Sequence, residues 1–142
     1  MRRLFVNLAV DDLERSVAFF TALGFSFDQR FTDETATSMI VGENAYVMLL
    51  TKSKFAEFAK KPIVDASTQT EVLLAVSAAS REGVDELAEA ALASGGSDAN
   101  DPIDYGFMYS RSFQDPDGHV WEVVWMDEAA VESHGETTGA VA

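Results

Sequence analysis

The sequence predicts one α+β domain in which a β-α-β-β-β pattern occurs twice. Three observations carry this. An apolar strand followed by an amphipathic helix and then by short strand-like runs opens the chain, and the same order returns from residue 71 onward. Each helical pattern stops at glycine, Gly24 in the first half and Gly95-Gly96 in the second. Neither half holds enough apolar surface for a core of its own, so an internal duplication at a spacing of about 65–70 residues, with two sheets side by side, is the economical arrangement.

The elements follow in order. Leu4 to Val10 is apolar on both faces except for Asn7 and reads as a buried strand. Asp11 with Glu14 three residues later has the form of a capping box, and Leu13, Val17, Phe20 and Leu23 then share one helical face. Strands are expected over Phe25–Phe31, Thr35–Val41 and Ala45–Thr51, with Gly42-Glu43-Asn44 as the last turn. Phe55 and Phe58 suit one short helix, and Pro62 ends it or begins the linker. In the second half, Glu71–Val76 is a strand and Ser80 a helix cap before the stripe Val84, Leu87, Ala88, Ala91 and Leu92. A weak strand near Ser97–Ile103 precedes stronger ones over Gly106–Gln114 and His119–Met126. Module one is thus residues 1–60, a linker 61–69 and module two 70–127; residues 128–142 lack periodicity and read as a flexible tail.

The chain has 142 residues, 47% hydrophobic and 24% charged, with a formal net charge of -14 and no cysteine. This composition is that of a soluble globular protein, and the acidity argues against nucleic-acid or anionic-membrane partners, which need clustered Lys and Arg. Absence of cysteine removes disulfides, thiolate metal sites and Cys nucleophiles, consistent with a cytoplasmic protein. The apolar run after Arg2-Arg3 meets Asp11-Asp12 too soon for a signal peptide, and no other run approaches membrane-spanning length.

The stretch "DPDGHVWEVVW" from Asp115 to Trp125 concentrates the candidate chemistry. Pro116, Asp117 and Gly118 suit a type I turn with a left-handed glycine, which makes the flanking strands a hairpin. Alternation places Val120, Glu122 and Val124 on one face and Trp121, Val123 and Trp125 on the other. A carboxylate in so apolar a strand needs a partner. If Asp115 pairs with Gly118, Arg111 lies across from Glu122 and an ion pair results; with a one-residue glycine bulge, Ser112 lies there instead. Glu71 at a strand start reads as surface, Asn7 as an amide bonded to a neighbouring loop, and His119 as a cap on the hairpin. Phosphate loops, nucleophile elbows and paired helical histidines are missing from the sequence.

Two segments together, "NLAVDDLERSVAFFTALGF" and "SFQDPDGHVWEVVW", resemble the vicinal oxygen chelate superfamily, which contains glyoxalase I, bleomycin-resistance proteins and extradiol dioxygenases. The resemblance covers about residues 3–127. It implies a cup-shaped, curved mixed sheet of eight strands around a small ligand, with a divalent metal at its base in the enzymes. Carried over by position, the four metal-ligand places fall on Phe5, Met48, Glu71 and Glu122, where the family has His or Gln, Glu, His and Glu. Phenylalanine cannot ligate, and a thioether is a poor ligand for these ions. The resemblance therefore implies a small-molecule binder without a tight catalytic metal. Glu122 is its polar anchor, and Phe5, Asn7, Met48 and Glu71 line the site. The alternative is a glyoxalase-like lyase or isomerase in which Glu122, with Glu71 and a loosely held divalent cation, abstracts a proton beside a carbonyl. A third reading is an interaction module with a vestigial cup. By the same likeness a homodimer is expected.

Overall fold

The computed structural model describes residues 1–138. Strand β1 (Leu4–Val10), helix α1 (Leu13–Ala22) and strands β2 (Ser26–Asp28), β3 (Ala36–Gly42) and β4 (Ala45–Thr51) form module one, followed by helix α2 (Lys52–Phe58). Module two contains β5 (Leu73–Ser77), α3 (Arg81–Ala93), β6 (Ser97–Asp98), β7 (Ile103–Asp104), β8 (Met108–Gln114) and β9 (Val120–Met126). Helix α4 (Glu128–Thr138) ends the described chain.

Two mixed sheets result, ordered β1-β4-β3-β2 and β5-β9-β8-β6, with β7 also on β8. The parallel β1–β4 pair has its counterpart in the parallel β5–β9 pair, so the duplication read from the sequence is present in the topology. Among the described residues nine strands replace the expected eight, because the weak strand near Ser97–Ile103 breaks into two short pieces, both paired with β8. The expected Phe25–Phe31 strand is cut to Ser26–Asp28, because Asp28 accepts from the Arg30 amide at 3.0 Å and starts a 3₁₀ turn.

The N-cap of α1 is Asp12 rather than Asp11; its side chain accepts from the Arg15 amide at 3.1 Å. Ser80 caps α3 as expected, accepting from Gly83 at 3.0 Å. Residues expected as a tail are helical to Thr138, started by Asp127, whose carboxylate accepts from the Ala129 amide at 3.0 Å. The remainder of that expected tail, residues 139–142, lies outside the described residues.

One core serves both modules. Trp121, Phe113 and Val123 from module two and Phe19, Phe20, Leu8 and Val10 from module one are each at most 2% exposed. The Phe20 and Trp121 ring centroids are 5.2 Å apart, and Phe113 stacks on Trp121 at 6.4 Å. An apolar stripe on α1 therefore finishes the core of module two, which explains why neither half is self-sufficient. The opposite face of each sheet is more open: Phe5 and Leu73 are 43% and 58% exposed, and Leu4, at the start of β1, is 61% exposed. So the expected burial of β1 holds for its last three residues and fails for its first two. Helix α2 packs back over β1 and β4, where Phe55 and Phe58 border a hollow shared with Asn7 and Leu50.

Candidate functional site

The β8–β9 turn decides where the candidate side chains point. Gly118 lies at φ +96°, its amide donates to the Asp115 carbonyl at 2.9 Å, and the Asp115 amide donates to the His119 carbonyl at 3.0 Å. This is the glycine-bulge register. Ser112 is the partner of Glu122, and Ala75 flanks it from β5. The ion pair between Arg111 and Glu122 is therefore not made. The bulge turns Arg111 to the helix face, where its guanidinium meets Asp85 and Glu89 of α3, both at 3.2 Å. Glu122 is left half-buried, with no hydrogen-bond partner among the described side chains.

The same turn clasps the two modules together. Asp117 accepts from the Asp11 amide at 2.8 Å, from Arg15 at 3.3 Å and from the Ser16 hydroxyl at 3.3 Å, all at the start of α1. Gly118 packs so tightly that a Cβ there would sit 2.6 Å from the Ala66 carbonyl oxygen. Asp115 is 4% exposed and accepts from the amides of Asp117 and His119 and from the Trp121 indole. Burial still pushes its carboxyl above the usual carboxylate range, outweighing the His119 charge and these donors.

His119 is the centre of this arrangement and was legible in the sequence only as a hairpin cap. It is 5% exposed, with Nδ1 2.7 Å from Glu71 Oε1 and Nε2 2.8 Å from the Ala9 carbonyl oxygen. Both neighbours are acceptors, and a neutral imidazole can donate to only one of them. The geometry therefore calls for the imidazolium. Burial alone would lower the imidazole pKa, but Asp115, the Ala9 carbonyl and Glu71 together raise it above the ordinary 6.5. The Ala9 carbonyl is free for this role because β1 is an edge strand. Leu4 donates to Asn44 beside β4, which turns the even-numbered residues of β1 toward β4 and the Ala9 carbonyl away from it.

Beside His119 lies a cavity of about 430 Å³ between β1, the α2–linker segment and the start of module two. Its walls are mainly apolar, with Phe55, Ala59, Pro62, Ile63 and Val64 from α2 and the segment after it. Asn7, Glu71, Lys60 and Lys61 supply polar groups. A polar chamber of about 250 Å³ behind His119 holds Asp11, Asp65 and Asp117 with Arg15 and Lys52. Lys52 contacts Asp11 at 2.6 Å and holds that carboxyl below its usual range.

The structure brings two of the expected site residues to this cavity. Asn7 and Glu71 line the cavity, but Phe5, Met48 and Glu122 do not. Phe5 stacks on Tyr46 at 5.0 Å, and Met48 pairs with Asn7 across β1–β4. Glu71 precedes β5 and lies four residues before Ala75, the partner of Glu122, which separates the two glutamates by about 13 Å along a strand.

A divalent metal of the kind found in metal-dependent glyoxalases does not fit these residues. Phe5 offers no donor atom, Met48 only a thioether, and Glu71 is engaged by His119. Among the described residues no three His, Cys, Asp or Glu side chains are grouped as a metal site. The cavity walls were missed because they come from the linker, where no periodicity marks an inward face. The usable signal was the apolar trio Pro62, Ile63 and Val64 after two lysines.

Comparison with known proteins gives the family. The model of the Glyoxalase/Bleomycin resistance protein/Dioxygenase superfamily matches residues 3–123. A hypothetical protein from S. aureus is 25% identical with a TM-score of 0.75, covering 88% of this chain and 94% of its own. A glyoxalase/bleomycin resistance protein/dioxygenase family enzyme from Burkholderia phytofirmans is 18% identical with a TM-score of 0.71, over 86% and 96% of the two chains. The fosfomycin resistance protein FosX of Listeria monocytogenes shares the fold at 19% identity and a TM-score of 0.63, over 88% and 90%. No curated protein matches the sequence significantly. Among the described residues no helix is long and apolar enough to cross a membrane.

Proposed function

The chain belongs to the Glyoxalase/Bleomycin resistance protein/Dioxygenase superfamily, and on that premise we propose that it binds a small organic molecule in the cavity beside His119. The observation that carries this is the cavity itself. About 430 Å³ of largely apolar space with a few convergent polar groups falls in the range of small-molecule sites. The Asn7 side-chain amide makes no protein hydrogen bond among the described residues, so it is available to a ligand. No chemical step through a metal is part of this reading, because the donor set does not support one. Glu122 is not among the residues that line this cavity, and in this reading Asn7 and the Glu71–His119 pair are its polar anchors.

Filling the cavity tests the proposal. Ala59 lies on its wall at the end of α2, so Ala59→Trp should abolish the thermal stabilisation that a panel of small aromatic probes gives the native chain, with circular dichroism unchanged. Undiminished stabilisation would place the binding elsewhere. We also propose a homodimer, since Phe5 and Leu73 leave apolar area on the open sheet faces. Sedimentation at micromolar concentration checks it, and a monomer there would refute it.

A further inference from the structure

The chain carries 10 Lys and Arg against 24 Asp and Glu, so a cation has no shortage of carboxylates nearby. Arg15, Arg30, Lys52, Lys54, Arg81 and Arg111 each sit in an ion pair. Lys60 and Lys61 form none among the described residues, and both line the apolar cavity. The carboxylate in the same lining, Glu71, is committed to the His119 ring at 2.7 Å. In the adjoining chamber Asp11 and Asp117 are matched by Lys52 and Arg15 and Asp65 is left over, so that space has no positive charge to spare for an anion. The one uncompensated charge on the apolar cavity is thus a pair of ammonium groups, on a molecule whose overall charge of -14 otherwise repels anions.

We propose that this cavity takes a monocarboxylate with an apolar body, its carboxylate at Lys60 and Lys61 and its body against Phe55, Ile63 and Val64. This rests on the small-molecule reading above and adds the head group. The apolar wall contributes binding that is blind to charge, whereas the lysines select the anion and do so less as salt screens them. Asn7 supplies an amide for a second polar atom of the ligand.

Three probes of one shape separate the head group from the cavity: phenylbutyrate, phenylbutyramide and phenylbutylamine, titrated into the full chain by calorimetry at low and high salt. Phenylbutyrate should bind about tenfold tighter than either analogue, the sum of two exposed ion pairs, and lose that margin at high salt. The double variant Lys60→Gln, Lys61→Gln should bring phenylbutyrate down to the amide's affinity and leave the amide unchanged. Both lysines are exposed, so this variant keeps the fold. Amide shifts of Asn7 and Phe55 in the NMR spectrum of the native chain should report the bound phenyl group. Equal affinity for carboxylate and amide, or tighter binding of the amine, overturns the head-group assignment and leaves the cavity reading standing. No binding of any probe overturns both.

Discussion

Replacing His119 by phenylalanine keeps the ring volume and removes the two hydrogen bonds of the imidazole, to Glu71 and to the Ala9 carbonyl, while the Asp117 contacts to α1 remain. Glu71 is 28% exposed at its side chain and can rehydrate, so that loss is worth at most about 1 kcal/mol. The Ala9 carbonyl belongs to a residue only 7% exposed, and stranding it costs about 1–3 kcal/mol. The total is about 1–4 kcal/mol, or a fall of about 3–12 °C in Tm for a chain of this size. The cost depends on pH. Because the folded imidazole pKa lies above 6.5, the imidazolium contribution is fully present below that value and is lost as pH rises through the folded pKa. Urea unfolding of both proteins at about pH 5.5 and about pH 9 should show a gap that narrows at the higher pH. A gap of the same size at both, or an imidazole that titrates below 6.5 by NMR in the native chain, would refute the imidazolium clasp.

Two glycines at positive φ form a matched pair of tests. Gly118→Ala meets both the left-handed backbone and the Ala66 carbonyl, for about 2–4 kcal/mol, whereas Gly106→Ala at φ +82° has open space around it and should cost about 1–2 kcal/mol; equal costs in urea would contradict the close approach. Glu122→Gln should change stability by less than about 0.5 kcal/mol and leave probe binding intact, since neither an ion pair nor the cavity involves it. Loss of probe binding in that variant would return Glu122 to the site. Arg111→Met should cost no more than about 1 kcal/mol, because Asp85 and Glu89 are 51% and 66% exposed and Tyr109 still donates to Asp85 at 2.6 Å. A cost of several kcal/mol would show that Arg111 holds more than these carboxylates.

Much of the fold could be read from local pattern because its causes are local. Strand alternation put Trp121 and Val123 on the core side, and both are fully buried. Ser80 caps its helix for the same reason, one side-chain oxygen reaching an amide three residues on. The family match over residues 3–123 agrees with the resemblance carried by the two quoted segments. Where several answers were open, the deciding contact was distant in sequence. Arg111 was one residue of register from pairing with Glu122, and the glycine bulge settled it in favour of α3. Glu71 looked like surface, and its partner lies 48 residues away.

By itself, the sequence determined a duplicated α+β domain, the boundaries of α1 and α3 to within a residue or two, the core face of β9 and the family to which the chain belongs. Those follow from periodicity, caps and turn residues, each a matter of a few neighbouring positions. Tertiary structure alone decided that the Asp115–His119 turn is a clasp between modules, that His119 sits between two acceptors, and that the cavity is walled by the linker. The physical reason is that a hydrogen bond such as His119 to Ala9 joins residues 110 positions apart, and an edge-strand carbonyl leaves no mark on side-chain pattern.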